Sequence, residues 1–156
     1  MRLVVLSDSH RAKRKLDSIV QKHLTDADMF IFLGDGEADF DEILTYNPSI
    51  KYERVSGNCD WDSVYPTFKI LDNIAGKRIL ITHGHPFQVK HGYTVIEEYA
   101  KKIGADIVLF GHTHIQYIQN EFENGFYMMN PGSAANGEYG MVDIEKSGVM
   151  LIECRI

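Results

Sequence analysis

Five short stretches of the chain hold residue types able to bind cations or move protons: Ser7-Asp8-Ser9-His10, Gly34-Asp35-Gly36, Gly57-Asn58-Cys59-Asp60, His83-Gly84-His85 and Gly111-His112-Thr113-His114. Five of the seven histidines fall within them. The donors are the side-chain oxygens of Asp8, Asp35 and Asn58 and the imidazoles of His10, His83, His112 and His114, a mixed set too large for one tetrahedral ion. One carboxylate able to bridge, with three further ligands on each side, fits two divalent ions about 3.5–4 Å apart, the arrangement that hydrolyses phosphate esters. With no thiolate in the set, ligand softness suits manganese, iron, nickel or zinc; manganese is the first expectation. In extended chain, residues i and i+2 project to one side, so Asp8 with His10, and His112 with His114, are each expected to straddle a common point. Gly34, Gly57, Gly84 and Gly111 precede or separate the ligands, where they allow sharp turns or close backbone approach.

Each cluster follows a strand-like run. Arg2–Leu6 is β-favouring, and residues 11–23 carry Leu16, Ile19 and Val20 at helical spacing. Met29–Leu33 predicts a second strand, Glu37–Tyr46 a helix stopped by Asn47-Pro48, and Tyr52–Val55 a third strand. Thr67–Leu71 and Arg78–Thr82 flank a turn at Asn73–Gly76. A helix over Thr94–Ile103 ends at Gly104, and Asp106–Phe110 reads as a buried strand. Ile115–Phe122, Gly125–Asn130, Met141–Ile144 and Val149–Ile156 follow as strands, the last two joined by a turn at Glu145–Gly148. The fold class is α/β, two packed mixed β-sheets flanked by helices. In such sheets ligands bind beyond the carboxyl ends of the strands, so five polar clusters at five strand ends should converge on one spot.

At 156 residues, 44% of them apolar and 24% charged, the chain reads as one globular domain over residues 1–156. Sixteen basic residues stand against 22 acidic ones, a net charge of −6, which disfavours a stable nucleic-acid complex. No apolar run approaches the roughly 18 residues of a membrane span, and Leu3–Leu6 is too short for a signal-peptide core. Two cysteines, Cys59 and Cys154, outside any C-x-x-C pair agree with a reducing, cytoplasmic setting.

The ordered series Asp8-x-His10, Gly34-Asp35, Gly57-Asn58, His83-Gly84-His85 and Gly111-His112-x-His114 resembles the calcineurin-like metallophosphoesterase superfamily, in particular its small bacterial and archaeal single-domain phosphodiesterase branch. The resemblance covers almost the whole chain. It implies an αββα sandwich, with Asp8, His10 and His114 on one metal, Asn58, His83 and His112 on the other, and Asp35 bridging them. It also implies attack on phosphorus by a metal-bridging hydroxide, formed because coordination lowers the pKa of water from 15.7 towards about 7. Asn130-Pro131-Gly132-Ser133 is similar to a stretch that recurs in this branch, and is expected at the pocket rim.

One departure matters. The wider superfamily places a histidine after the asparagine ligand as proton donor; here that residue is Cys59, a thiol of reference pKa near 8.5. Proton donation is worth roughly 10²–10⁴ in rate, so diesters and esters with acidic leaving groups should be cleaved best. His85 is the alternative donor, and Arg11, directly after a ligand, is placed to reach the substrate phosphate. Read blandly, Cys59 is a partly buried packing residue, Arg11 the solvated start of a helix, and His23 and His91 surface residues. The expected function is a two-metal phosphodiesterase acting on a small phosphate ester. The alternatives are a phosphomonoesterase or a non-catalytic interaction module like the retromer-associated relative of the family, and a homo-oligomer is compatible with either. The loops Trp61–Tyr65 and Asn136–Tyr139 are expected to set specificity.

Overall fold

A computed structural model describes the backbone of residues 1–156 and every side chain except those of Phe122 and Glu123. The chain runs β1 (Arg2–Leu6), α1 (Lys13–His23), β2 (Met29–Phe32), α2 (Glu37–Tyr46), β3 (Tyr52–Arg54), β4 (Phe68–Ile74), β5 (Lys77–Thr82), α3 (Thr94–Ile103), β6 (Ile107–Phe110), β7 (Gln116–Gln119), α4 (Glu121–Asn124), β8 (Tyr127–Pro131), β9 (Glu138–Glu145) and β10 (Gly148–Arg155). Among the described residues the strands form two five-stranded sheets, ordered β10-β9-β1-β2-β3 and β4-β5-β6-β8-β7. β1, β2 and β3 run parallel in the first, as do β5, β6 and β8 in the second. β9, β4 and β7 pair antiparallel to their neighbours.

The alternation of side chains along each strand explains the layering. In β1, Leu3 and Val5 pack between the sheets while Val4 and Leu6 pack outward. β5 and β6 repeat the division, with Ile79, Ile81, Ile107 and Leu109 inward and Leu80, Val108 and Phe110 outward. Outside the first sheet, α1 buries Leu16, Ile19, Val20 and His23, one face of a 3.6-residue period, and α2 adds Phe40 and Ile43. Ile96 and Ala100 of α3 cover the second sheet. The result is a four-layer αββα sandwich, each of whose central strands is covered on both faces. Each fully buried Leu, Ile, Val or Phe contributes about 1.5–3 kcal/mol of transfer free energy, which holds the strand ends in fixed relation.

α2, α3 and β1 have the boundaries their patterns predict, and Gly104 ends α3 in a left-handed conformation, its N–H bonded to Ala100 and Lys101 carbonyls. β4 extends past Leu71 to Ile74 because the chain skips register there, with Asn73 at φ 60°, before Ile74 pairs with Lys77. β7 is shorter than its apolar run, ending at Gln119 before α4; the predicted strand also reached Phe122, whose side chain lies outside the described residues. β9 begins at Glu138, so Tyr139 belongs to a strand and is buried rather than part of a specificity loop. His23 is likewise buried, its Nε2 3.0 Å from the Tyr139 hydroxyl, because it completes the inward face of α1.

Candidate metal centre

The five polar clusters leave β1, β2, β3, β5 and β6 at one end of the sandwich and bond to one another. Asp8 N–H donates to the Gly34 carbonyl at 2.9 Å, His10 N–H to the Asp35 carbonyl at 3.1 Å, and Gly111 N–H to the His83 carbonyl at 3.0 Å. Asp8, His10, Arg11, Asp35, His112 and His114 all adopt positive φ, between 42° and 70°. Non-glycine residues are uncommon in this region, and each costs on the order of 1–3 kcal/mol. The expected extended geometry of Asp8 with His10, and of His112 with His114, is therefore incorrect. Asp8 and His10 do reach a common point, together with His114, whereas His112 gathers with Asp35 and His83 instead.

At that point acceptors and lone pairs face each other. Asp8 Oδ2 accepts from Ser7 Oγ at 2.5 Å and from His112 N–H at 3.0 Å. Its other oxygen, Oδ1, is buried and takes part in no hydrogen bond, though His114 Nε2 lies 3.0 Å and His10 Nε2 3.6 Å from it. The nitrogens His10 Nε2 and His114 Nε2 are 3.1 Å apart. Asp35 Oδ2 is 3.7 Å from His10 Nε2 and 3.4 Å from His83 Nε2. His83 Nε2 is also 3.2 Å from Asn58 Oδ1 and 3.2 Å from His112 Nδ1. Donor atoms gather in three overlapping groups: Asp8, His10 and His114; His10, Asp35 and Cys59; Asp35, His83 and His112. A buried carboxylate oxygen without a hydrogen bond, surrounded by imidazole nitrogens, is satisfied by a cation, and the oxygen and nitrogen donors suit a divalent transition metal.

The electrostatics agree. Burial alone would raise the Asp35 carboxyl, but the hydrogen bond and charge of His83, with the Cys59 N–H, hold it well below the usual carboxylate range. Burial opposes protonation of His83 while Asp35 and Asp8 outweigh it, so its ring is raised. His112 is pushed down to about 4 by burial and by His83, so its ring is neutral at pH 7.

The profile of the calcineurin-like phosphoesterase superfamily domain matches residues 1–152. The chain belongs to that superfamily. It is 34% identical over 134 residues, 85% of this chain and 75% of the relative, to a probable metallophosphoesterase, YsnB, of Bacillus subtilis strain 168. Three solved structures share the fold. A conserved predicted phosphoesterase of Streptococcus pneumoniae TIGR4 has a TM-score of 0.83 at 23% identity, covering 99% of this chain and 88% of that one. A Vps29 of Entamoeba histolytica complexed with zinc scores 0.76 at 19% identity, covering 99% of each chain. An archaeal phosphodiesterase scores 0.73 at 19% identity, covering 99% of this chain and all of that one. The calcineurin-like family binds divalent metal, and the three donor groups are candidates to hold such an ion in this chain.

All seven residues expected as ligands lie in the cluster. Cys59 is exposed, contrary to the packing reading; its N–H donates to Asp35 Oδ1 at 2.7 Å, and burial with the nearby Asp35 charge pushes its thiol up. The His85 ring lies tilted against His83 and edge-on to His112, at centroid distances of 5.4 and 6.1 Å, with Nδ1 buried and without a hydrogen-bond partner among the described residues. Arg11 lines a cavity of about 430 Å³ together with His10, Asp35, Cys59 and Trp61. Asn130-Pro131-Gly132-Ser133 is not at the rim. Asn130 is fully buried beneath the site, donating to the Gly111 carbonyl at 3.0 Å and Thr113 Oγ1 at 2.9 Å, and Ser133 Oγ donates to the Asp8 carbonyl at 2.8 Å.

Asp60 is a residue whose role the sequence did not give. Its carboxylate accepts from the backbone N–H groups of Asp35 (2.8 Å), Gly36 (3.0 Å), Glu37 (3.0 Å) and Gly57 (2.8 Å). It thereby ties the loop carrying Asp35 and the start of α2 to the loop carrying Asn58. Asp is common in turns for its local bonding, of which the Gly57 contact is an example, and nothing in the sequence says that its other three partners lie more than 20 residues away.

Proposed function

We propose that this phosphoesterase cleaves phosphodiesters at a centre of two divalent ions, manganese first among them. The observation that carries this reading is the position of one oxygen, Asp35 Oδ2, between His10 on one side and His83 on the other, at 3.7 and 3.4 Å. Asp8, His10 and His114 would hold one ion, Asn58, His83 and His112 the other, and Asp35 both. When bound, such a pair supplies a water-derived nucleophile at neutral pH and neutralises charge on the phosphoryl oxygens.

The protein's own groups do the rest. His83 donates from Nδ1 to the Leu33 carbonyl at 2.8 Å, which holds its Nε2 toward Asp35 and Asn58. Arg11, beside His10 in the cavity, would reach a phosphoryl oxygen of the substrate as a bidentate donor. The residue beside the leaving oxygen is Cys59 or His85. A thiol is a weak acid at neutral pH, so leaving groups that depart without full protonation are favoured. That supports diesters with acidic leaving groups over monoesters of basic alcohols. Two unpaired cysteines agree with a cytoplasmic setting, and the net charge of −6 with a small phosphate ester as partner rather than nucleic acid. The shared fold with Vps29 supports a second reading, an interaction module that holds metal without turnover.

The test is hydrolysis of bis(p-nitrophenyl) phosphate and p-nitrophenyl phosphate with added Mn²⁺ by the wild type, Asp35→Asn and His112→Ala. Metal-dependent diester cleavage lost in both variants supports the proposal. Preferential monoester cleavage overturns the diester assignment, and a folded protein that turns over neither substrate with any divalent metal favours the interaction module.

A further inference from the structure

Trp61 is the single tryptophan of the chain and is 89% exposed, although tryptophan carries one of the largest apolar surfaces a protein can bury. It is not on a remote surface. It lines the same cavity of about 430 Å³ as His10, Arg11, Asp35 and Cys59. Its backbone position is set: Asp60, immediately before it, is anchored by four backbone N–H groups, two of them from Asp35 and Gly57. The loop that carries the indole is thus tied to the loop that carries Asp35, while the indole itself is exposed to solvent.

The cavity also defines what can lie beside that ring. Two carboxylates in its wall are already engaged. Asp39 accepts from Ser9 Oγ at 2.6 Å and from Arg11 N–H at 2.9 Å, and Glu37 accepts from Ser63 Oγ. The Arg11 guanidinium makes no ion pair among the described residues. A cavity whose wall holds metal-type donors, a guanidinium without an ion pair among the described residues and an exposed indole matches a phosphate ester carrying a flat ring.

We infer that Trp61 is a specificity residue that stacks on a planar aromatic ester group, a nucleobase or an aryl ring, while the phosphate lies at the centre held by Asp8, Asp35 and the histidines. The inference rests on the proposed phosphodiesterase reading and names its substrate class. Stacking of a base on an aromatic side chain is tolerant of base identity, so the preference is for a flat ring rather than for one nucleotide.

Because Trp61 is the only tryptophan, its emission reports this contact without any turnover. Adenosine 5′-monophosphate should quench Trp61 emission saturably in the presence of Mn²⁺, whereas glycerol phosphate should not. In parallel, the ratio of kcat/KM for a dinucleoside monophosphate, and for bis(p-nitrophenyl) phosphate, over that for glycerophosphocholine should fall about tenfold in Trp61→Ala, mainly through KM, and be largely restored in Trp61→Phe. Loss with the dinucleotide alone identifies a nucleobase as the ring recognised, and loss with both a flat ring of either kind. A flat emission titration, or a preference that survives Trp61→Ala, overturns the inference. If no diester is turned over, the phosphodiesterase reading fails and the emission titration alone decides the stacking role.

Discussion

His83 Nδ1 lies 2.8 Å from the carbonyl oxygen of Leu33, at the end of β2. That oxygen can only accept, so Nδ1 carries a proton, and in the neutral ring Nε2 is a lone pair. The lone pair points at two further acceptors, Asn58 Oδ1 at 3.2 Å and Asp35 Oδ2 at 3.4 Å. A second ring proton or a metal ion relieves the conflict, and the two compete.

Metal binding should therefore release protons. Burial opposes the charged ring, but Asp35 and Asp8 hold His83 above its ordinary value of 6.5, so the metal-free protein keeps a proton there to higher pH than a free imidazole does. That proton stabilises the metal-free fold fully below pH 6.5 and ceases to do so as pH rises through the raised value. Calorimetric titration with Mn²⁺ in buffers of different ionisation enthalpy should show proton release near pH 6.5 that declines as pH rises, and an affinity that weakens on acidification. Proton-independent binding across that range would contradict the assignment.

His112 predicts the opposite slope. Its ring is lowered to about 4 by burial and His83, so between pH 6.5 and about 4 the unfolded chain binds a proton that the native protein does not. The stability of the metal-free protein should fall as pH is lowered through that window and be regained as it is raised. Denaturant unfolding of the wild type and His112→Gln at several pH values should show the variant losing less stability on acidification.

Much of the scaffold was legible in the sequence because its signals are local. Leu16, Ile19 and Val20 mark α1 by period, and Asn47-Pro48 stops α2 one residue after Tyr46. That the polar clusters gather at one end of the sandwich was legible too, since each follows a strand. Their conformation was not. No sequence signal distinguishes Asp8 at φ 56° or His114 at φ 60° from extended chain, because surrounding packing imposes those angles. Asn130, His23 and Asp60 escaped for a related reason: what defines each is a partner distant in sequence, Gly111 and Thr113, Tyr139, and Asp35 to Glu37.

Asp60→Ala removes the shared acceptor of four backbone N–H groups. With hydrogen bonds to charged groups worth about 1.5–3 kcal/mol each, and water replacing part of the loss, destabilisation of about 3 kcal/mol is expected in denaturant unfolding. Mn²⁺ affinity should fall at least about tenfold, since Asp35 loses its anchor; groups that hydrogen-bond a metal ligand and hold it in place typically matter by about 10–100-fold. Asp60→Asn should lie between.

Gly57→Ala tests the close approach of the two loops. A Cβ there would sit 2.0 Å from Asp35 Oδ1 and 2.4 Å from Asp35 N, so Asp35 must move. A shift near 1 Å in a reacting array can cost about 10²-fold, and diester hydrolysis should drop by that order while the far-ultraviolet circular dichroism stays native. Full activity in Gly57→Ala would show that Asp35 need not lie where it is found.

The most direct test of a two-ion centre is electron paramagnetic resonance of the protein titrated with Mn²⁺. The account predicts two ions bound per chain, with an exchange-coupled signal that Asp35→Asn abolishes. A single uncoupled Mn²⁺ per chain, in a protein that hydrolyses the diester at that stoichiometry, would contradict it.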